Sequence, residues 1–121
     1  MTDQRLINRT KQLALRILEM AEALPRTRSA DIIGKQIIRS ATSVGANYRA
    51  SIRAKSTADM INKLKIVEEE ADETLYWLEL LVEADIFPEH KLADLMSEAN
   101  QIVAMVVASI KTLRAKNNRH S

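Results

Sequence analysis

An all-α fold, an antiparallel up-down-up-down four-helix bundle, is predicted by three observations. The 121-residue chain has only two glycines and two prolines, too little punctuation for a set of strands and tight turns. Apolar residues recur at three- and four-residue spacing through four long segments. Short connections separate these segments, and successive helices so joined bury their apolar stripes most simply by packing antiparallel around one core. A single domain over residues 1–121 follows, since 46% hydrophobic residues supply a core without metal or disulfide.

The first helix is predicted over about 4–24. Thr2 or Asp3 can cap its free amides, Leu6, Leu13, Ile17, Met20 and Leu24 form its stripe, and Pro25 ends it. The second is predicted over 29–54, with Ser29 as cap, Asp31 near the positive end of the macrodipole and a stripe of Ile33, Ile37, Ala41, Val44 and Tyr48. Its join to the third helix, Ala54 to Ser56, has no strong breaker, so a continuous bent helix is an alternative there. The third helix is predicted over 57–85, starting at Ser56 or Thr57 with Asp59 in its first turn. Met60, Leu64, Val67, Ala71, Leu75, Leu78 and Val82 give it a near-heptad rhythm. Pro88 suits the first turn of the fourth helix, predicted over 88–116, whose stripe is Leu92, Leu95, Ala99, Ile102, Val106, Ile110 and Leu113. Residues 117–121 are expected to fray.

Charge is partitioned along the chain. Residues 1–66 hold 13 Lys/Arg against 5 Asp/Glu, residues 67–100 hold 1 against 11, and residues 101–121 hold 4 against none. A net charge of +2 therefore conceals basic and acidic surfaces that can recruit opposite partners. At about 100° per residue, Lys35, Arg39, Arg49 and Arg53 share one side of the second helix, and Arg5, Arg9 and Arg16 share one side of the first. Such ridges can track phosphates, although a solvated helix face accounts for the same pattern. The four aromatics, Tyr48, Tyr76, Trp77 and Phe87, are not interleaved with the ridges, which argues for backbone contact over base stacking.

No catalytic, cofactor or metal site is predicted. With no cysteine there is no thiol chemistry, and no Glu-x-x-His pair exists to hold a helical di-metal centre. His90 at a helix start and His120 in the tail are poorly placed as core ligands. The acids of the third helix read as a solvated or salt-bridged face. Gly34 and Gly45 each cost about 1 kcal/mol relative to alanine within a helix, so close helix approach is expected at both. A second apolar strip on the third helix, Ile66, Trp77 and Ala84 flanked by Tyr76 and Leu80, is a candidate subunit interface, with cover by a fourth-helix side chain or the tail as the alternative. The longest nearly unbroken apolar run, Ile102 to Ile110 with Ser109 inside it, is too short to span a bilayer, and the first ten residues lack a signal-peptide core, so a cytoplasmic protein without a membrane partner is expected.

The ordered set Gln36-Ile37, Arg39-Ser40-Ala41, Ser43, Asn47, Ser56, Asp59, Lys63, Ile66, Glu70, Glu73-Thr74 and Tyr76-Trp77-Leu78 resembles the four-helix bundle family of 23S rRNA intervening-sequence proteins. Ala50 and Met60 depart from the pattern, where relatives often carry an acid and Phe. The resemblance implies a ring assembly, typically a homopentamer, without enzymatic activity. It also implies kinship with the accessory protein of diversity-generating retroelements, and hence RNA or DNA and a reverse transcriptase as partners. Two functional expectations result: non-specific nucleic-acid binding by the basic ridges, or a protein-interaction scaffold whose basic and acidic faces pair between subunits.

Overall fold

The computed structural model describes residues 4–119. Four helices, α1 (Gln4–Glu22), α2 (Arg28–Ile52), α3 (Thr57–Glu83) and α4 (Glu89–Arg119), make up the fold, with no strand among the described residues. Each helix packs on its neighbours in sequence, and α4 closes the ring on α1 along the sparsest seam. The candidate caps Thr2 and Asp3, and His120, lie outside the described residues.

Helix ends are set by local chemistry. Thr27, rather than Ser29, caps α2: its backbone is extended and its hydroxyl accepts the Ala30 amide at 3.2 Å. Both residues have capping chemistry, and only the backbone shows which one leaves the helix. Ser56 caps α3, accepting the Asp59 amide at 3.1 Å, while Asp59 reaches back to the Lys55 amide and to Lys63. This reciprocal cap breaks the chain at Arg53 to Ser56, so α2 and α3 are not one bent helix. Asp85 takes a left-handed conformation, φ 57°, and the Ile86 and Asp85 amides bond back to Leu81 and Val82, which closes α3 at Glu83. Helix α1 ends two residues earlier than predicted, α4 begins just after Pro88, and residues 117–119 are helical rather than frayed.

The core follows a stricter repeat than the apolar residues alone reveal. In α3, beyond the buried Ile61 near its start, the buried positions Leu64, Val67, Ala71, Thr74, Leu78 and Leu81 alternate steps of three and four, as a left-handed bundle demands. Leu75 and Val82, predicted inward, are half-buried, while Thr74 and Leu81 take the central places. Thr10 fills the equivalent gap between Leu6 and Leu13 in α1. Leu24, Ile33, Met60 and Leu113 pack only partly buried at the margins.

The buried hydroxyls are satisfied. Thr74 and Ser40 face each other across the α2–α3 seam at 2.9 Å, and each also reaches a carbonyl of its own helix, Glu70 and Ile37. Two protons serve three contacts, and no buried side-chain polar atom lacks a partner among the described residues. The glycines differ. A Cβ on Gly34 would press on the Leu24 side chain at 3.2 Å, whereas on Gly45 it would meet Thr10 at an ordinary 3.5 Å. Close approach therefore accounts for Gly34 and does not require glycine at position 45.

Candidate nucleic-acid interface

The seven cations singled out by sequence divide into two groups. Four are held by acids of the same chain. Arg9 makes a two-pronged bond to Glu98, Nε to Oε2 at 2.8 Å and Nη2 to Oε1 at 2.7 Å, and also donates to Gln101. Arg16 reaches Asp94 at 2.6 Å, so α1 and α4, which share the sparsest seam, are tied by two ion pairs. Arg39 spans α2 to α3, paired with Glu70 at 2.9 Å and with Glu73. Lys35 pairs with Asp31, one turn away, at 3.2 Å. The ridge on each helix is therefore partly neutralised, and apart from Asp31 its acids come from neighbouring helices that a single-helix projection cannot display.

Glu73 also explains the placement of Trp77. The indole Nε1 donates to its carboxylate at 3.0 Å, and that bond, followed by Arg39, holds the Glu73 carboxyl below the usual glutamate range. The residues carrying the sequence resemblance thus concentrate on the α2–α3 seam as an ion-pair and hydroxyl network. Ile37, Ala41 and Leu78 of the same set lie in the core, and Asn47 bonds back to the Ser43 carbonyl.

Arg5, Arg49 and Arg53 form no ion pair among the described residues. Arg49 and Arg53 line a groove of about 490 Å³ between α1 and α2, with Lys11 on its opposite wall and Ile7, Ala14, Ala46 and Ile52 among its apolar lining. A second groove of about 320 Å³ shares Tyr48 and Ile52 with the first and extends to Met60 and Leu64 of α3 and Leu113 and Lys116 of α4. Both open at the end of the bundle where α1 and α3 begin and α2 and α4 finish.

That end is strongly basic. The segments forming it, residues 4–12, 46–66 and 107–118, contain eleven Lys/Arg against one Asp/Glu. The single acid, Asp59, is occupied by Lys63 at 3.0 Å and by the Lys55 amide, which together hold its carboxyl below the usual aspartate range. Two helix N-termini and two C-termini meet here, so their macrodipoles largely cancel and side chains set the field. Sequence reasoning missed Lys11, Lys111, Arg114 and Lys116. The signal was available, because an up-down topology joins the start of the first helix to the end of the fourth.

The proposed apolar strip divides as well. Ile66 and Tyr76 are 40% and 53% exposed, Trp77 and Leu80 are half-buried, and Ala84 is the C-cap residue of α3. Tyr76 and Trp77 meet edge to face at 5.1 Å, which leaves the tyrosine ring outermost. Among the described residues no group of three or more His, Cys, Asp or Glu side chains could hold a metal ion, and no helix is long and apolar enough to cross a membrane.

Comparison with known proteins agrees with this architecture. Residues 2–108 match the family described as 23S rRNA-intervening sequence protein. A similar solved structure is a protein of unknown function from the S23 ribosomal protein family of Bacteroides thetaiotaomicron VPI-5482, at 35% identity and a TM-score of 0.82. The similarity covers 88% of this chain and 98% of that one. None of the curated proteins matches. Because the family match spans most of the chain and a relative sharing about a third of its residues has the same four-helix architecture, the chain belongs to the 23S rRNA-intervening sequence protein family.

Proposed function

We propose that this protein is a non-enzymatic, homo-oligomeric helical bundle, with a pentameric ring favoured, that binds RNA or DNA non-specifically through its basic end. The observation that carries the reading is the groove bearing Lys11, Arg49 and Arg53, whose cations have no ion-pair partner among the described residues. Each such cation placed against a phosphate releases condensed counterions and adds salt-sensitive affinity. Arg9, Arg16, Lys35 and Arg39 drop out as primary contacts, because binding through them would first break pairs within the chain. A ring whose axis runs along the bundles sets every basic end on one face, so several weak sites act together on a long polyanion. The exposed Ile66 and Tyr76 support an interface on the α2–α3 side. A kinship with retroelement accessory proteins, which the sequence resemblance implies, would add a reverse transcriptase to the candidate partners, and a cytoplasmic location suits a chain without cysteine.

The double variant Arg49→Glu/Arg53→Glu tests the reading. We expect it to keep the wild-type oligomer mass in sedimentation and to lose at least tenfold in nucleic-acid affinity at low salt. Dissociation of the oligomer with nucleic-acid affinity retained would instead favour a scaffold whose basic and acidic faces pair between subunits.

A further inference from the structure

We infer that the ligand of the basic end is the phosphate backbone of a nucleic-acid double helix, and that the last turns of α4, through Lys111, Arg114 and Lys116, complete the surface. The inference rests on the proposed nucleic-acid function and assigns its missing half. Lys116 lines the second groove, which shares Tyr48 and Ile52 with the groove of Lys11, Arg49 and Arg53. The two grooves therefore adjoin at Tyr48 and Ile52, with Lys11, Arg49 and Arg53 lining one and Lys116 the other. Lys111, Arg114 and Lys116 are exposed and in no ion pair among the described residues, and residues 107–118 contain no acid to oppose them.

The choice of a duplex follows from what the surface lacks. Single strands are held by stacking bases on exposed aromatic rings in a positive groove. Here the one aromatic at the basic end, Tyr48, is only 5% exposed, built into the core beneath both grooves. Tyr76 and Trp77 lie in the acidic half of α3, and Phe87 sits beyond the opposite end of α3 with Lys91 over its ring. A surface of cations without stacking platforms reads charge density, and a double helix presents about one charge per 1.7 Å of axis, more than either strand alone. Base identity goes unread by such a surface, because phosphate contacts position a protein without specifying sequence.

The test uses the full-length protein with a labelled duplex of arbitrary sequence, the corresponding single strand, and polyglutamate as competitor, across a salt series. Wild type should bind the duplex more tightly than the strand. Lys111→Gln/Arg114→Gln/Lys116→Gln should weaken duplex binding at least tenfold and lower the log K against log salt slope by about 2–3, at about 0.9 per lost contact. Unchanged thermal unfolding of this neutral variant, whose side chains are exposed, separates lost contacts from lost folding. Lys91→Gln, at the other end, should bind as wild type does. A triple variant with wild-type affinity and slope would overturn the role of α4 and leave the proposed function standing. Preference for the single strand would overturn the duplex assignment, and competition by polyglutamate equal to duplex at matched charge would point to an acidic protein instead. Failure of the wild type to bind any nucleic acid would overturn this inference and the proposed function together.

Discussion

At the scale of single residues, the pairing of Arg9 with Glu98 separates a stabilising cation from a binding one. The Arg9 guanidinium, by its hydrogen bonds and then its charge, holds the Glu98 carboxyl below the usual glutamate range. A depressed folded-state value means that the unfolded chain takes up the proton first as pH falls. The stabilisation is therefore complete above the unfolded value of about 4.3 and disappears as pH descends through the folded one. Both side chains are about a quarter exposed, 26% and 21%, so solvent screening limits the pair to about 1 kcal/mol or less. Glu98→Gln should lower stability by that amount at pH 7 and by much less at pH 3, measured by urea unfolding. An equal loss at both values would mean that packing, and not the ion pair, ties α1 to α4. None of this was legible in the sequence, since the partners are 89 residues apart and a helical projection shows only one helix.

At the scale of elements, the four helices and most of their buried stripes were legible because apolar spacing is a property of the chain itself. The exceptions are informative. Thr10 and Thr74 occupy core positions that a reading of apolar residues passes over, and the strict alternation of three and four explains both. A threonine is tolerated there because its hydroxyl finds a partner, Ile7 for one and Ser40 with Glu70 for the other. Helix starts were less legible, since Thr27 and Ser29 both carry capping hydroxyls. Thr27→Ala should cost about 1 kcal/mol in thermal or urea unfolding, whereas Ser29→Ala, exposed and inside the first turn, should change stability by only a few tenths. The reverse order would restore Ser29 as the cap and move the start of α2.

At the scale of the whole molecule, folding reorganises charge that sequence order had arranged differently. Along the chain the contrast is between a basic first half and an acidic third helix. In the bundle it becomes a contrast between two ends, because antiparallel packing brings the basic start of α3 beside the basic finish of α4 and carries the acidic length of α3 away from both. Arg49 and Arg53 were visible from sequence for the right reason, being cations on an exposed face. The remainder depended on which helix ends meet. The most direct test of the proposed function is a salt titration of wild-type binding to nucleic acid, from about 50 to 200 mM. Six or more phosphate contacts at the basic end predict a loss of about a thousandfold or more across that range. No binding at the lowest salt, or an affinity indifferent to salt, would contradict it.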